Sequence, residues 1–369
     1  MKICFLTHNL KEHNGGGVMS RHIIEGVRDT TPAEVIAIVT EPSGARYEEN
    51  LLSRGFFTPI RNFWEIRKFI KSADIVHAMD IFPYGVIAYL ASLGLRKKFI
   101  VTIVGSGSLI ALYKSPFSRF YGFILRRADA LTAISRFIRD ETLKKIPGLS
   151  IEVITPGIDL EKFSAPAHKE AGRNLNLPPR FIVSVGSIRW RKGYKYSLRA
   201  FAGIAGDFPD LHYVIVGKRF NDVEYTKLRA LAKEIGVASR FHILEDVQTN
   251  EELTFIYSKA ELFILLSQNK GYDVEGFGMV FLEAAAGGLA AVGSANCGIS
   301  DAVSAGENAL LVDSRDTAAA AWAINSILSD NEKKKAMERA SLDFVKEFEW
   351  RKKVTQYVNL YKRILQKET

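Results

Sequence analysis

A repeated alternation of apolar runs and amphipathic stretches most constrains what this chain can fold into. In the first half the apolar runs are ICFLT, EVIAIVT, DIVHAM, FIVTIV, ADALTAIS and IEVIT. Between them lie stretches with helical periodicity, such as SRHIIEGVRD and NFWEIRKFIKS. Near-continuous apolar strands separated by helices are typical of a parallel sheet that is covered on both faces. The pattern therefore predicts a doubly wound, Rossmann-like domain in this half.

The alternation stops near Pro156 and starts again at Phe181. The stretch between them, PGIDLEKFSAPAHKEAGRNLNLPPR, has the proline-rich, mixed polar composition of a linker. Beyond it, FIVSVG, HYVIVG, FHIL and LFILLS are again separated by helical patterns. A chain of 369 residues is long enough for two cores. We predict an α/β protein with two doubly wound domains, 1–165 and 166–349, whose ligands bind beyond the carboxyl ends of the strands in a cleft between the domains.

Composition narrows the class of protein. A hydrophobic fraction of 47% and a charged fraction of 25% are those of a soluble globular protein, and no apolar run reaches the roughly 18 residues that span a bilayer. We expect a cytoplasmic protein with reduced thiols at Cys4 and Cys297. The net charge of +9, concentrated in the first half, favours an anionic partner such as a phosphorylated ligand or a lipid surface. No motif of a nucleic-acid-binding module is present, so we expect no nucleic-acid partner.

The stretch KGYDVEGFGMVFLEAAAGG contains the strongest candidate site. Gly276 and Gly278 lie at a predicted loop-to-helix junction, where free backbone N–H groups and the helix dipole favour an anion. In one continuous helix Glu275 and Glu283 would be about 12 Å apart, whereas paired glycosidase carboxylates are separated by roughly 5 to 9.5 Å. We therefore interpret a loop Glu275 and a helix Glu283 as separate contacts to one extended ligand. The alternative is two solvated glutamates at an ordinary helix start.

A basic loop, VGSIRWRKGY, lies between a predicted strand and a predicted helix. Arg189, Arg191 and Lys192 in this loop would face the same ligand. Lys192 directly precedes Gly193, a position that suits a phosphate contact at a helix start. The alternative is a solvated basic loop.

A third motif, HNGGGVMS, places Gly15, Gly16 and Gly17 between the first strand and the first helix. Glycines without side chains allow the backbone to approach a ligand closely. We therefore expect a ligand-binding loop here, with a plain turn as the alternative.

Together these motifs make the chain resemble the retaining glycosyltransferases of family 4, whose GT-B fold has two facing Rossmann-like domains. The resemblance covers essentially the whole chain, and its most specific part is Glu275-x7-Glu283 with the internal Gly-Phe-Gly. It implies a metal-independent hexosyltransferase that moves a sugar from a UDP-, GDP- or ADP-sugar donor to an acceptor hydroxyl in polysaccharide or glycolipid synthesis. It also implies that a C-terminal helix, 350–369, packs back on the N-terminal domain.

The resemblance implies roles for individual residues. Glu283 would hold the hydroxyls of the nucleotide ribose, and Glu275 would approach the donor sugar. Lys192 would neutralise the diphosphate leaving group, so Glu275 and Lys192 are the catalytic candidates. The other donor-binding candidates are Arg189, Arg191, Gly16, Gly17, Ile243 beside the base, and the backbone of Phe277, Gly278 and Met279.

One departure from the family pattern concerns the phosphate contacts. Family members usually carry an arginine where this chain has Ser187. Either Arg189 or Arg191 would then supply the second phosphate contact.

A second departure concerns the acceptor side, where many family members have a histidine and this chain has Val104. Polar contacts to the acceptor would pass to Ser106 or Ser108, or the acceptor would differ. His77 matches a frequent family position, and it would serve either as an acceptor contact or as a hydrogen-bonded structural histidine.

The segment SPFSRFYGFILRRADA predicts an amphipathic helix with three arginines, at 119, 126 and 127, beside an apolar face. Such a helix suits the anionic inner surface of a membrane and a lipid-linked acceptor. The alternative is that the apolar face lies in the core and the arginines are solvated. The apolar face consists of Phe117, Phe120, Tyr121, Ile124 and Leu125.

Two other functions fit the same residues. A sugar-phosphate-synthase-type transferase with a soluble phosphorylated acceptor would also explain the basic first half. The departures at Ser187 and Val104 would suit a catalytically silent nucleotide-sugar-binding protein. We expect no cofactor and no metal, because the sequence has no Asp-x-Asp motif and no cluster of His, Asp and Glu at ligand spacing.

Overall fold

The structure, a computed structural model, describes residues 1–12, 15–53, 58–164, 172, 175–247 and 249–366. The chain forms two compact units. Unit 1 comprises Met1–Gly157 and Trp350–Thr369, and unit 2 comprises Ile158–Glu349. The chain therefore leaves unit 1 after Gly157 and returns to it at Trp350, while the predicted boundary between 165 and 166 lies outside the described residues.

Unit 1 is built on a sheet in which every neighbouring pair of strands is parallel, as the apolar runs predict. The strand order is β3-β2-β1-β4-β5-β6-β7, so the order reverses between β1 and β4. Ligands of such sheets bind beyond the carboxyl ends of the strands at that switch point. The described strands are β1 (Lys2–Thr7), β2 (Glu34–Val39), β3 (Glu48–Glu49), β4 (Ile75–Met79), β5 (Lys98–Ile103), β6 (Ala130–Ala133) and β7 (Ile151–Val153).

The helices of unit 1 form where the amphipathic stretches predict them. Helix α7, for example, begins after Ser135, whose Oγ accepts the N–H of Ile138 as an N-cap. The described helices are α1 (Gly15–Thr30), α2 (Thr58–Arg61), α3 (Phe63–Ser72), α4 (Val86–Ser92), α5 (Ser106–Lys114), α6 (Ser118–Arg127) and α7 (Arg136–Lys145), with α15 (Trp350–Gln366) at the end of the chain.

Helix α15 packs against α1 within unit 1. The Trp350 indole stacks on the His22 ring with a centroid separation of 4.7 Å. Gly26 allows this approach, because a Cβ atom there would lie 2.4 Å from a methyl group of Val354. Leu365 is half-buried, and the buried apolar residues of this helix are Trp350, Val354, Tyr357, Val358, Leu360, Tyr361 and Ile364.

Unit 2 repeats the architecture with a second parallel sheet, in the order β10-β9-β8-β11-β12-β13. Its described strands are β8 (Phe181–Val185), β9 (His212–Val216), β10 (Phe241–Leu244), β11 (Leu262–Leu265), β12 (Ala291–Ser294) and β13 (Ala309–Val312). Its described helices are α8 (Leu160–Ser164), α9 (Tyr194–Ile204), α10 (Asp222–Glu234), α11 (Asn250–Lys259), α12 (Met279–Ala286), α13 (Thr317–Leu328) and α14 (Asn331–Val345). Short 3-10 turns occupy Trp190–Lys192, Ala238–Arg240, Gly298–Asp301 and Lys346–Phe348.

Candidate functional site

The Gly-Phe-Gly stretch forms a loop that leads from β11 into α12, as the sequence predicts. Glu275 lies in the loop, and Glu283 lies within α12. Gly278 is the N-cap residue of the helix and has a φ of 88°, a left-handed conformation that favours glycine. No side chain caps this end of α12; in its first turn the Phe281 N–H donates to the Gly278 carbonyl at 2.9 Å.

The Glu275 carboxylate lies at the centre of a buried charged cluster. Its Oε2 is 2.8 Å from Nζ of Lys192 and accepts a hydrogen bond from Oγ of Ser267 at 3.1 Å. Nη1 of Arg191 lies 3.6 Å from Oε1. Glu275 is 7% exposed and Lys192 is 8% exposed. Lys192 and Glu275 thus neutralise each other, whereas the resemblance implies that each contacts a different part of the donor.

The pKa of Glu275 reflects two opposing causes. Burial by itself raises the pKa, because it disfavours the charged carboxylate. The charges of Lys192 and Arg191 and the hydrogen bonds from Lys192 and Ser267 outweigh burial and lower the pKa to about 2. The side chain is therefore ionised at neutral pH although it is buried.

Close backbone contacts fix the two loops that carry this pair. Gly193 has a φ of 65°, and a Cβ atom there would lie 1.8 Å from the carbonyl oxygen of Leu266. A Cβ atom on Gly298 would lie 2.0 Å from the carbonyl oxygen of Gly276, and the Gly298 N–H donates to the Glu275 carbonyl at 2.9 Å. Gly193 thus lets the basic loop lie against the end of β11, and Gly298 lets the turn after β12 support the acidic loop.

Glu283 has a different environment from Glu275. The Tyr257 hydroxyl donates a hydrogen bond of 3.0 Å to its Oε2. Burial raises the pKa of Glu283, and the Tyr257 hydrogen bond and the charges of Lys192 and Lys162 lower it by less. The Glu283 side chain is half-buried on α12. Its carboxylate, which has a raised pKa, is therefore partly accessible to a ligand.

The two arginines of the basic loop differ in their contacts. Arg191 supports the loop itself, because its Nη1 donates to the Val274 carbonyl at 2.6 Å and its Nε lies 3.6 Å from Asp273. The Nε atom of Arg189 is buried and has no hydrogen-bond partner among the described residues. Burial and then the charge of Arg191 lower the pKa of Arg189. The Nε–H group of Arg189 is therefore left to bond a ligand. In Arg191, by contrast, Nη1 already bonds the Val274 carbonyl.

The other donor-side candidates of unit 2 are Phe277 and Met279 at the start of α12 and Ile243 in β10. Phe277 is buried, with its ring 6.2 Å from that of Phe348, so only its backbone is available to a ligand. Met279 is half-buried and begins α12. Ile243 lies half-buried in the edge strand β10.

The prediction of a glycine loop after β1 is wrong. Gly15, Gly16 and Gly17 form the first turn of α1. Gly17 is buried against its own chain, since a Cβ atom there would lie 2.3 Å from the Lys11 carbonyl oxygen and 2.4 Å from Oδ1 of Asn9. Gly16 is exposed. The correction concerns only the loop, since these glycines are helical; a contact of Gly16 and Gly17 with the donor stays a prediction.

His77 is a structural residue of unit 1. Its Nδ1 lies 2.8 Å from the Tyr361 hydroxyl, and its Nε2 lies 2.7 Å from Oγ1 of Thr102. The side chain is fully buried, and burial lowers its pKa to about 3. Both ring nitrogens are occupied within the protein, which corrects the expectation of an acceptor contact.

Asp80 is a candidate that the sequence did not indicate. It directly follows β4 at the switch point of the sheet and has a φ of 118°, which a non-glycine residue rarely adopts. Its carboxylate accepts hydrogen bonds from Oγ of Ser108 and, at 2.9 Å, from the N–H of Ile81. Burial raises its pKa to about 7, although these hydrogen bonds and one from the Val104 N–H oppose the rise.

The predicted serines lie beside Asp80 in different environments. Ser108 is fully buried and uses its hydroxyl on Asp80. Ser106 is half-buried and is the first residue of α5. A Cβ atom on Gly107 would lie 2.6 Å from Oδ2 of Asp80, so the turn approaches the carboxylate closely. Of the two serines, only Ser106 is accessible to an acceptor.

Helix α6 divides the residues of the expected amphipathic face. Tyr121, Ile124 and Leu125 are buried in the core of unit 1, which corrects the membrane interpretation for them. Phe120 is half-buried, and Phe117 is 63% exposed. The three arginines of α6 are exposed.

The described residues contain neither a candidate metal site nor a candidate membrane-spanning helix. No three His, Cys, Asp or Glu side chains come together there in a group that could hold a metal ion. No helix in the same part of the chain is long and apolar enough to cross a membrane.

Comparison with protein families identifies the class. The model of glycosyl transferases group 1 matches residues 168–344, and the model of glycosyltransferase family 4 matches residues 14–162. The chain belongs to these group 1, family 4 glycosyltransferases, as the motif resemblance predicts.

Several curated relatives are similar to this chain. A D-inositol 3-phosphate glycosyltransferase of Corynebacterium urealyticum is 33% identical over 58% of this chain and 51% of its own length. An N-acetyl-alpha-D-glucosaminyl L-malate synthase of Bacillus anthracis is 26% identical over 80% of this chain and 76% of its own length. The match thus spans about half the length of the first relative.

Solved structures show the same fold. Sucrose-phosphate synthase from Thermosynechococcus elongatus matches with a TM-score of 0.80 and 20% identity, over 99% of both chains. The Anabaena protein HepE in complex with UDP-glucose matches with a TM-score of 0.81 and 17% identity, over 98% of this chain and 100% of its own. Both are similar to this chain in fold.

Proposed function

We propose that this chain is a retaining glycosyltransferase that moves a sugar from a nucleotide-sugar donor, held by unit 2, to an acceptor hydroxyl. The observation that carries the proposal is the buried pair of Lys192 and Glu275, fixed directly before the uncapped start of α12. Buried charges of this kind are costly unless they are paired and are concentrated at functional sites. Membership of the glycosyltransferase family supports the reaction class.

The contacts to the donor follow from the free groups of this site. The uncapped N–H groups after Gly278 and the buried Nε of Arg189 are donors suited to a diphosphate. Arg189 is therefore the residue that replaces the arginine missing at Ser187. Glu283 on α12, held by Tyr257, would accept hydrogen bonds from the ribose hydroxyls.

The reaction forms a bond from the acceptor oxygen to the anomeric carbon and breaks the bond from that carbon to the phosphate oxygen. The hydroxyl proton passes to the departing phosphate on the same face of the sugar. Lys192 and Arg189 would stabilise the negative charge that develops on the phosphate. We propose that these cations make a metal unnecessary, so turnover should persist in excess EDTA.

The test is turnover of a panel of UDP-, GDP- and ADP-sugars without an acceptor, measured as release of nucleoside diphosphate. We expect slow hydrolysis of one donor and loss of that hydrolysis in Arg189→Met. The control is Arg229→Met, an exposed arginine on α10. Binding of a donor without any turnover, even with acceptors, would favour a silent binding protein. No release and no thermal shift with any nucleotide would contradict the proposal.

The acceptor is proposed to be a sugar-containing lipid at an anionic membrane surface. Phe123 of α6 and Phe117, which directly precedes that helix, are exposed, as are Leu90 and Leu93 at the end of α4. The ring of Phe123 packs edge-on against Tyr89 of α4, at 5.9 Å, so the two helices form one face. Exposed apolar groups beside arginines are the composition that binds anionic lipid. A soluble sugar phosphate is the competing acceptor, as the name of the sucrose-phosphate synthase suggests for that protein.

Co-sedimentation with phosphatidylglycerol vesicles distinguishes the two acceptors. We expect binding at low salt that decreases as ionic strength rises and is lost when Arg126 and Arg127 are both changed to glutamate. The control changes Lys335 and Arg339, which are exposed on α14, to glutamate. It alters the net charge by the same amount as the Arg126 and Arg127 variant and should leave binding intact. Absence of binding together with transfer to a soluble sugar phosphate would favour the competing acceptor.

A further inference from the structure

A cavity lies in unit 2 between α9 and α10, with a volume of about 610 Å³. Its apolar floor includes Leu228 and Leu231 of α10. Binding sites for small molecules typically have volumes of roughly 300 to 1,000 Å³ with an apolar lining and a few polar groups. Two glutamates and five basic residues also line it; the basic residues are Lys195, Arg199, Lys227, Lys270 and Arg315.

The lining has an excess of positive charge, because five basic residues face only two acidic ones, Glu224 and Glu234. Lys195, Arg199, Lys227 and Lys270 form no ion pair with another described residue. The remaining cation, Arg315, donates through Nε to Oε1 of Gln268 at 3.3 Å. Like charges gathered around a concave surface repel one another, and a bound anion removes that repulsion. The cavity therefore favours a negatively charged ligand.

The rim of the cavity also presents an aromatic surface. Trp190 is 40% exposed there, and Tyr196 lies beside it in the lining. The Tyr196 ring also carries Nζ of Lys195 at 4.7 Å from its centroid. An exposed indole packs well against the C–H face of a sugar ring, because it offers a large rigid apolar area. Basic and aromatic groups on one rim point to a ligand with both an anionic group and a ring.

Gln268 lines this cavity and is hydrogen-bonded to the basic loop that carries Lys192. It is 4% exposed, and its backbone N–H donates to the Arg191 carbonyl at 2.7 Å. Its side-chain Nε2 donates to the carbonyls of Leu266 and Ser314, at 2.8 and 2.9 Å. These three hydrogen bonds fix Gln268 in place, and neither Lys192 nor Glu275 belongs to the lining of the cavity.

We infer that this cavity is a second ligand site, for a sugar that carries a phosphate or carboxylate group. The sugar ring packs on Trp190, and the anionic group is bound by Lys195, Arg199 and Lys227. This inference uses neither the donor nor the acceptor assigned above, so it stands or fails independently of the proposed function.

Calorimetric titration of the full chain at low salt tests the inference. The probes are glucose 6-phosphate and digalacturonate, with glucose as the neutral control. We expect at least one acidic sugar to bind, glucose to give no signal, and saturating UDP, GDP or ADP to leave the affinity unchanged. Changing both Lys195 and Arg199 to glutamate should weaken binding at least about tenfold, because each removes a charge-assisted contact.

The matched control changes Arg229 and Lys233 to glutamate. These residues are also exposed and four positions apart, on α10, but they do not line the cavity. Affinity in this control should stay within about twofold of the unmodified chain, since screened charges outside the site contribute little. If the Lys195 and Arg199 double variant does not fold, Lys227→Gln supplies the same comparison.

The two acidic probes separate the possible sources of the ligand. Preference for glucose 6-phosphate indicates a free sugar phosphate, and preference for digalacturonate indicates an acidic glycan. The inference is overturned if neither probe binds, if the double variant binds as tightly as the unmodified chain, or if a nucleoside diphosphate displaces the probe.

Discussion

Nζ of Lys192 lies 2.8 Å from Oε2 of Glu275, and both residues are more than nine-tenths buried. This contact joins the basic loop after β8 to the acidic loop before α12. The charge of Lys192 helps to keep the buried Glu275 carboxylate ionised by lowering its pKa. A ligand that uses either group must therefore compete with the pair, so the site is preorganised around an internal salt bridge.

Loss of Lys192 should destabilise unit 2 because it leaves the buried Glu275 carboxylate with weaker compensation. We expect Lys192→Met to lower the free energy of unfolding by about 3 kcal/mol, near the lower end for breaking a buried pair, since Arg191 still lies 3.6 Å away. The measurement is urea denaturation of the unit 2 transition.

The control for this prediction is Lys195→Met, three residues along the chain but exposed. It should change the free energy of unfolding by no more than about 0.5 kcal/mol. In the double variant Lys192→Met with Glu275→Gln, part of the lost stability should return because no unpaired charge remains. Equal effects of the two single lysine variants would contradict the assignment of a buried pair.

Asp80 should make the stability of unit 1 fall as the pH rises toward neutrality. Its folded-state pKa is about 7, above its ordinary value of 3.8, because it is buried. A raised pKa means that the folded state favours the protonated form, so its contribution is fully present below pH 3.8 and is lost as the pH rises through 7.

The variant Asp80→Asn should remove this pH dependence, because an amide does not ionise and asparagine tolerates positive φ. Thermal unfolding between pH 4 and 8 should show the unmodified protein losing Tm relative to the variant across that range. A parallel course of the two Tm curves would show that Asp80 is already ionised in the folded protein at pH 4.

Gly298→Ala should separate the acidic loop from its support. The added Cβ atom would lie 2.0 Å from the Gly276 carbonyl oxygen, a contact that backbone movement alone can relieve. We expect loss of nucleotide binding and reduced stability. Gly206→Ala is the control, since nothing lies within 4 Å of a Cβ atom there, and nucleotide binding in it should be normal. Normal nucleotide binding in Gly298→Ala would show that the loop geometry is not needed.

The sequence predicts the long apolar strands well, because branched apolar runs bounded by turns have few alternatives. It did not assign β12 and β13, Ala291–Ser294 and Ala309–Val312, as strands from pattern alone. These strands are short, and β12 contains alanine, glycine and serine, which carry little strand preference. Their place in the sheet comes from tertiary pairing with β11 and with each other.

Local pattern also limits what can be predicted about the site. It places Glu275 in a loop and Glu283 in a helix, and this is confirmed. The contact of Lys192 with Glu275 joins residues 83 positions apart, and no local periodicity contains that information. Asp80 was missed because one acid after a strand forms no motif, whereas its backbone strain appears only in three dimensions.

The two glutamates of the candidate site should fail differently when altered. Glu283 is read as the ribose contact, with charge-assisted hydrogen bonds worth roughly 1.5 to 3 kcal/mol each. Glu283→Ala should therefore weaken the binding of free nucleoside diphosphate and of the intact donor alike, by roughly 10- to 150-fold.

Glu275→Gln should behave in the opposite way, because Glu275 is proposed to touch the sugar as it reacts and to position Lys192. We expect affinity for nucleoside diphosphate to remain within about threefold, while turnover falls sharply, as it does when an interaction made mainly in the transition state is removed. Calorimetry with the nucleotide alone, beside steady-state kinetics, separates the two effects. Tyr257→Phe tests the geometry further, since it removes only the hydrogen bond to Glu283 and should reproduce a weaker form of the Glu283 result. Equal losses of nucleotide affinity in the Glu275 and Glu283 variants would show that the two carboxylates bind the same part of the ligand.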